Sequence, residues 1–239
     1  MKYFTNNSRS FILALFLGSI MYGSPQTTED LPIDLIDLEK RAKVLSILGN
    51  YDFKFKTITV PKPVKISSME ILFDNPRLGA AMWRQCQFSP SFFAFEQSPT
   101  SFSIDDTRGL KAQLTLLYRV PGHRIYLVEG LAESGRLNSF SPLIRAQMLT
   151  SYRYREIPSG FETELTTWTK LDSQLLGYLS KPFHRYVQGR QDEFIAYINN
   201  NIASFGASNE VNILEFRNSK SISEDPVSSR VFNKLYLRK

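Results

Sequence analysis

One stretch, residues 160 to 202, constrains the fold of this chain more than any other. It reads "GFETELTTWTKLDSQLLGYLSKPFHRYVQGRQDEFIAYINNNI". Its first third alternates apolar and polar residues in the manner of a strand, whereas from about Ser173 to Ser204 apolar residues recur at helical three- and four-residue steps. We expect Pro182 to kink this helix. A strand that passes directly into a long amphipathic helix predicts that the helix folds back against the sheet.

The segments upstream predict an antiparallel sheet. Strands are predicted by two-residue alternation at residues 51–60, 110–120, 124–132, 144–157 and 161–171, and two more in an aromatic, serine- and proline-rich stretch at 91–96 and 100–104. The short segments "PGH" at 121–123 and "PSG" at 158–160 predict tight hairpin turns. Glu162 and Glu164 are expected to lie opposite arginines of the preceding strand.

Helical spacing precedes and follows the first strand. Residues 34–49 place Leu35, Leu38, Ala42, Leu45 and Leu48 at helical intervals and end at a Gly-Asn pair. Residues 64–83 predict two short helices separated at Asn75-Pro76, because a proline and its predecessor both resist helix continuation.

This order of elements predicts an α+β fold with a curved antiparallel sheet wrapped around a long C-terminal helix. The segments "KFKTITVPKPVKISSMEILFDNPRL" and "FETELTTWTKLDSQLLGYLSKPFHRYV" resemble the first strand, first helix, last strand and C-terminal helix of the START-like, polyketide cyclase and lipid-transport superfamily, which has the helix-grip fold. The resemblance covers residues 50–205 and implies a cavity for a hydrophobic molecule between sheet and helix. A cystatin-like cone, with its helices first and its strands last, is the rival architecture.

The ends of the chain are predicted to lie outside this domain. Residues 1–24 resemble an export signal, with Lys2 and Arg9 before an apolar run that is too short to span a membrane. We expect cleavage near residues 23–24, and hence a periplasmic or secreted protein. Residues 25–49 then form a helical extension, and residues 206–239 a loosely ordered tail.

Composition excludes several kinds of chemistry. The single cysteine, Cys86, rules out an intramolecular disulfide, and neither His123 nor His184 has a second histidine or a cysteine at metal-ligand spacing. We therefore expect no metal and no cofactor. The net charge of +6 is spread along the chain, so nucleic-acid binding is not expected, whereas a transient membrane contact is compatible with it.

Candidate ligand-binding residues follow from the predicted strand faces and from the aromatic stretch. Their full set is Trp83, Phe92, Phe93, Phe95, Leu114, Leu116, Tyr118, Glu129, Tyr152, Tyr154 and Phe183. Trp83 and the phenylalanines of residues 92–95 are expected to gate the cavity mouth or else to pack beneath the sheet. Glu129 faces the cavity in one strand register and water in the other.

We expect an exported protein that binds a hydrophobic small molecule or lipid in this cavity. Two alternatives remain open. An enzyme, either a cyclase or a hydrolase, would need a polar group on the cavity wall such as Glu129 or a tyrosine. An envelope interaction protein would instead have its interior filled by its own phenylalanine and tyrosine side chains.

Overall fold

The structure, a computed structural model, describes residues 31–58, 66–85, 87, 91–107, 110–132, 144–172 and 218–236. Its helices are α1 (Leu38–Gly49), α2 (Ile66–Asp74), α3 (Pro76–Gln85), α4 (Lys220–Ser223) and α5 (Pro226–Tyr236), with a 3₁₀ turn at Ile33–Leu35. Its strands are β1 (Phe53–Ile58), β2 (Phe93–Ser98), β3 (Ser101–Asp105), β4 (Leu110–Val120), β5 (His123–Ala132), β6 (Ile144–Ile157) and β7 (Gly160–Leu171).

The seven strands form one open, curved antiparallel sheet in the order β1-β7-β6-β5-β4-β3-β2. Sequential strands pair as neighbours from β2 to β7, and β1 pairs with β7 at the far edge. This architecture confirms the predicted α+β class. The predicted long helix at 173–204, with Pro182, lies outside the described residues.

Both predicted hairpin turns are present, between β4 and β5 and between β6 and β7. Gly122 in the first turn has φ +81°, and a side chain there would bring a Cβ within 2.9 Å of the Tyr154 carbonyl oxygen. The Tyr154 N–H also donates to the Gly122 carbonyl at 2.9 Å. The turn therefore requires glycine both for its left-handed backbone and for its contact with β6.

Helix α1 covers one face of the sheet, which we call the α1 face. Asp37 caps the helix by accepting a hydrogen bond from the Glu39 N–H at 3.0 Å. Its buried residues, Val44 and Ile47, pack with Ile125, Leu127, Leu149 and Trp168 of the sheet. The residues 31–49 are thus part of the domain core rather than an appendage.

Most of the apolar residues predicted at helical intervals in this segment do not pack against the sheet, and Leu48 is the exception. Leu35, Leu38 and Leu45 are exposed, whereas Ile36, Val44 and Ile47 are buried. The segment thus has two apolar stripes, one of leucines and one of β-branched residues. The stripe of β-branched residues packs against β5 to β7.

Helices α2 and α3 separate where the sequence predicts a break, with Asn75 between them. The Asn75 side-chain amide donates to the Ile71 carbonyl at 2.8 Å and so caps the end of α2. Helix α2 packs against the opposite face of the sheet, the α2 face, where Phe73 contacts Tyr152 and Tyr154.

The prediction of a loosely ordered C-terminal tail is wrong for residues 218–236. Helices α4 and α5 occupy this segment, and their Ile222 and Phe232 are buried with Leu78 and Met82 of α3. Asp225 explains the start of α5, because it accepts hydrogen bonds from the Val227 N–H and the Ser228 hydroxyl. Val227, Val231 and Leu235 recur at four-residue steps in the sequence, a helical signal that the prediction of a tail did not use.

None of the helices in the described part of the chain is long and apolar enough to cross a membrane.

The packing of α5 predicts a specific stability loss. Phe232→Ala should lower the free energy of unfolding by about 3–5 kcal/mol, because the ring is fully buried and leaves a cavity. Val227→Ala on the same helix is the control, since Val227 is exposed and should change stability by less than about 0.5 kcal/mol. Urea denaturation measures both. Equal small losses would mean that α5 does not contribute to the core.

Candidate functional site

Six hydroxyl side chains lie together on the α2 face of the sheet, and we call them the hydroxyl wall. They are Thr150, Tyr152 and Tyr154 of β6 with Thr163, Thr167 and Thr169 of β7. Alternate residues of a strand share one face, and the register pairs Thr150 with Thr167 and Tyr154 with Thr163. All but Thr150 are buried.

Apolar side chains surround the wall on the same face. Phe53 and Phe55 of β1 lie opposite Thr169 and Thr167, and both are buried. Leu171 and Ala146 form the next pair along β7 and β6. The α2 face therefore presents buried hydroxyls within an aromatic and aliphatic frame.

Two of these hydroxyls lack ordinary hydrogen-bond partners among the described residues. The Thr169 Oγ1 is buried without a partner in the described part of the chain. The Tyr152 hydroxyl is also buried without a bond of normal geometry, and it interacts with Thr163, which opposes the rise that burial causes in the Tyr152 pKa. An unpaired buried hydroxyl costs about 1–3 kcal/mol. Strands ordinarily fill such positions with valine or leucine, so these hydroxyls need an explanation.

A cluster of charges closes one end of the wall, and we call it the arginine cluster. Arg124 of β5 is 1% exposed, donates to Asp74 Oδ1 at 2.7 Å and to the Tyr154 hydroxyl at 3.1 Å, and also pairs with Glu70. The Tyr154 hydroxyl donates to Glu70, and the guanidinium lies 5.2 Å from the Phe73 ring centroid. These contacts fasten α2 to β5 and β6.

The electrostatics of the cluster keep its groups in fixed charge states. Burial alone would raise the pKa of Glu70, but hydrogen bonds from Tyr154 and Arg124 outweigh it and hold this pKa below its ordinary value. Burial and the bond to Glu70 raise the pKa of Tyr154 to about 12. Burial also raises the pKa of Tyr152. At neutral pH the wall thus offers neutral hydroxyls beside a satisfied ion cluster, a set suited to hydrogen bonding rather than to nucleophilic attack.

The structure brings four of the predicted residues to the α2 face. Tyr152 and Tyr154 belong to the hydroxyl wall, and the register places Leu114 and Leu116 of β4 on the same face. Phe183 lies outside the described residues.

Tyr118 lies on the opposite face from the one predicted. A β-bulge between Leu116 and Tyr118 inserts an extra residue, which reverses the alternation for the rest of β4. Tyr118 therefore packs against the α1-face core, with its ring 5.4 Å from that of His123. His123, at the start of β5, is half-buried and hydrogen-bonded to the Ser151 hydroxyl at 2.9 Å.

Glu129 does not point to the α2 face. The register that buries Ile125 and Leu127 is adopted, but α1 covers that side of the sheet. Glu129 there forms an ion pair with Lys43 of α1 at 2.6 Å, with both side chains partly exposed.

The aromatic stretch forms regular structure and divides into two pairs. Trp83 is buried and stacks on Phe92 with ring centroids 5.3 Å apart. Phe93 and Phe95 are 38% and 50% exposed on β2, the edge strand, where they line a surface pocket rather than the hydroxyl wall. That Phe92, Phe93 and Phe95 act as a lid remains a prediction.

Several site residues were not singled out from the sequence. Arg124, Glu70 and Asp74 are ordinary surface-type residues in their segments, and only the fold brings α2 over β5. The threonines did carry a signal, because "FETELTTWTKL" places Thr163, Thr167 and Thr169 in phase with Phe161 and Leu171. In the regions that the structure describes, no three histidine, cysteine or acidic side chains are grouped as a metal site.

No protein-family model matches the chain, and no curated protein matches it. Solved structures show distant likeness. An uncharacterized protein from Rhizobium leguminosarum aligns with a TM-score of 0.45 and 13% identity over 65% of this chain and 95% of its own. A hypothetical protein from Helicobacter pylori aligns with a TM-score of 0.43 and 10% identity over 77% of this chain and 99% of its own. The di-domain ARO/CYC protein BexL aligns with a TM-score of 0.37 and 14% identity over 72% of this chain and 54% of its own. Likeness at this level carries no functional argument.

The arginine cluster predicts a pH dependence of stability. Because Glu70 has a folded-state pKa below its ordinary value of 4.5, its contribution is present above that pH and is lost as pH falls through the lower value. Wild type should therefore lose thermal stability on acidification below about pH 4.5 more steeply than Glu70→Gln, which should be less stable at neutral pH.

Thermal unfolding followed by circular dichroism between about pH 3 and pH 7 measures this difference. Glu96→Gln is the matched control, because Glu96 is exposed on β2, and it should follow wild type. Parallel acid profiles for wild type and Glu70→Gln would contradict the assignment.

Proposed function

We propose that this protein is a binding protein of the helix-grip type. It holds a hydrophobic molecule that carries at least one polar group against the α2 face, with the hydroxyl wall as its recognition surface. The observation that carries the proposal is the buried Thr169 hydroxyl, which has no hydrogen-bond partner among the described residues, beside the Tyr152 hydroxyl, whose interaction with Thr163 lacks normal geometry.

The energetics favour a ligand over a purely structural role. Buried polar groups are retained where they find a hydrogen bond, and an unpaired hydroxyl destabilises the ligand-free protein. A ligand hydroxyl, carbonyl or ether oxygen would supply the missing partner, whereas a site made only of valine and leucine would not select for such a group.

The frame around the wall defines the rest of the ligand. Phe53, Phe55 and Leu171 present apolar surface beside the hydroxyls, so the body of the molecule is apolar. Ligand sites commonly combine a mainly apolar lining with a few polar groups that fix orientation. The resemblance of residues 50–205 to the START-like superfamily supports the same class of ligand, a lipid-like molecule.

Thr169→Val should have opposite effects on stability and on binding. Valine keeps the shape of threonine but removes the unpaired hydroxyl, so the ligand-free protein should gain about 1 kcal/mol in its free energy of unfolding. The same change should lower the fraction of protein that retains a ligand. Native mass spectrometry of protein purified from its own host measures this fraction, and urea denaturation of delipidated protein measures the stability.

Thr166→Val provides the control within the same strand. Thr166 is equally buried but lies on the α1 face, opposite Ser151, so ligand retention should equal that of wild type. Wild type that carries no bound molecule, or Thr169→Val that retains as much as Thr166→Val, would contradict the proposal.

We also propose that the protein acts outside the cytoplasm, on the pattern of residues 1–24. An apolar run that follows Lys2 and Arg9 and ends at small residues is typical of a cleaved export signal.

Export predicts a specific mature mass. Protein recovered from its host should lack residues 1–23 or 1–24, and replacing Leu13 and Leu17 of the apolar run with arginine should leave the full-length chain inside the cell. Intact-mass spectrometry of the cell fractions measures both. Full-length wild type in the soluble cytoplasmic fraction would contradict export.

A further inference from the structure

A surface pocket of about 400 Å³ lies between β2, the end of α3 and the start of the C-terminal helices. Its volume is in the range that accommodates small ligands. Its lining combines Arg77 and Arg84 of α3, Phe93 and Phe95 of β2, and Lys220 of α4. It has no residue in common with the hydroxyl wall.

The arginines of this pocket differ in how they are paired. Arg77 binds Asp225 through two hydrogen bonds, of 2.7 and 2.8 Å, so each neutralises the other. Arg84 donates one hydrogen bond of 2.9 Å to the Phe92 carbonyl and pairs with no carboxylate among the described residues. A guanidinium has five N–H donors, so Arg84 retains donors for a ligand.

The position of Arg84 strengthens its attraction for an anion. Its guanidinium carbon lies 4.1 Å from the centre of the Phe93 ring, which fixes the plane of the group. The side chain is half-buried, and this burial lowers its pKa, although an arginine side chain keeps its proton in proteins. A charge held at a partly desolvated site interacts more strongly with a ligand than one in water.

The other charges around the pocket leave this attraction in place. Asp225 lies close enough to attract Arg84, but it is already bonded to Arg77 and to the Ser228 hydroxyl, and repulsion from Arg77 opposes this attraction. Glu224 lies 4.0 Å from Lys220, and both side chains are mostly exposed, so this pair is weak. Lys220 can therefore turn toward an anion bound at Arg84.

Phe93 and Phe95 add an exposed apolar surface beside these cations. Their rings stack with centroids 6.4 Å apart and planes at 16°, on the edge strand of the sheet. Large exposed apolar groups next to an arginine that bonds to no carboxylate in the described part of the chain match a molecule with an anionic head and an apolar body.

We propose that this pocket is a second binding site, specific for an anionic amphiphile whose carboxylate or phosphate binds Arg84 and Lys220 and whose apolar part lies on Phe93 and Phe95. The amphiphile is either free in solution or part of an anionic membrane surface, and the chemistry at Arg84 is the same in both cases. The site is independent of the ligand proposed for the hydroxyl wall.

The test uses the full-length protein and two probes. Calorimetry with octanoate, compared with octanol, reports binding from solution. Cosedimentation with phosphatidylglycerol vesicles, compared with phosphatidylcholine vesicles, reports binding at a membrane. We expect octanoate or phosphatidylglycerol to bind, and Arg84→Gln to weaken that binding by about tenfold to a hundredfold, the usual effect of a charged hydrogen bond.

Three variants make the test specific to this pocket. Arg155→Gln removes the same charge from an exposed residue paired with Glu162, and should bind as wild type does. Phe95→Ala should weaken binding several-fold without affecting folding, because half of the ring is exposed. Thr166→Val should bind as wild type does, because Thr166 lies on the α1 face, outside both this pocket and the hydroxyl wall.

Several outcomes would overturn the proposal. The first is that neither octanoate nor phosphatidylglycerol binds. The second is that octanol binds as well as octanoate and that phosphatidylglycerol vesicles are not preferred over phosphatidylcholine vesicles. The third is that Arg84→Gln and Phe95→Ala both bind with the affinity of wild type.

Discussion

The described structure depends on one buried charge, the guanidinium of Arg124. Removing an arginine from water costs several kcal/mol, and the cost is offset only where its donors meet acceptors of good geometry. Glu70 and Asp74 of α2 and the Tyr154 hydroxyl supply them. Helix α2 is therefore held over β5 and β6 by the ion pairs and hydrogen bonds that the buried guanidinium requires, as well as by apolar packing.

That constraint makes the two faces of the sheet different in kind. The α1 face is closed by aliphatic packing, in which Val44 and Ile47 meet the apolar side chains of β5 to β7. The α2 face has an ion cluster at one end and hydroxyls beyond it, with Thr167 and Thr169 buried where aliphatic residues would pack more favourably. A chain that retains such residues on one face sacrifices stability there, as binding surfaces commonly do.

How much of this could be predicted depended on the range of the interactions. Strands and hairpins follow from local alternation and turn residues, so β4 to β7 and the break before Pro76 were predictable. The arginine cluster joins Glu70 to Arg124, which are 54 positions apart, so no local sequence pattern predicts it. The bulge before Tyr118 shifts the alternation by one residue, which moved that side chain to the other face. In α1, two apolar stripes were available, and only tertiary packing chose between them.

Arg124 and Arg84 both have unusual surroundings, but those of Arg124 suit a structural role and those of Arg84 suit ligand recognition. Arg124 is almost fully enclosed, and it bonds to two carboxylates and a phenol, so its charge is already balanced within the protein. Arg84 contacts a phenylalanine ring and a backbone carbonyl, and neither of these neutralises its charge. A cation that bonds to no carboxylate of the described residues, and that lies beside exposed aromatic rings, is the less stable arrangement in isolation. Its charge is balanced when an anion binds, which is why the pocket at Arg84, rather than the buried cluster at Arg124, is suited to recognition.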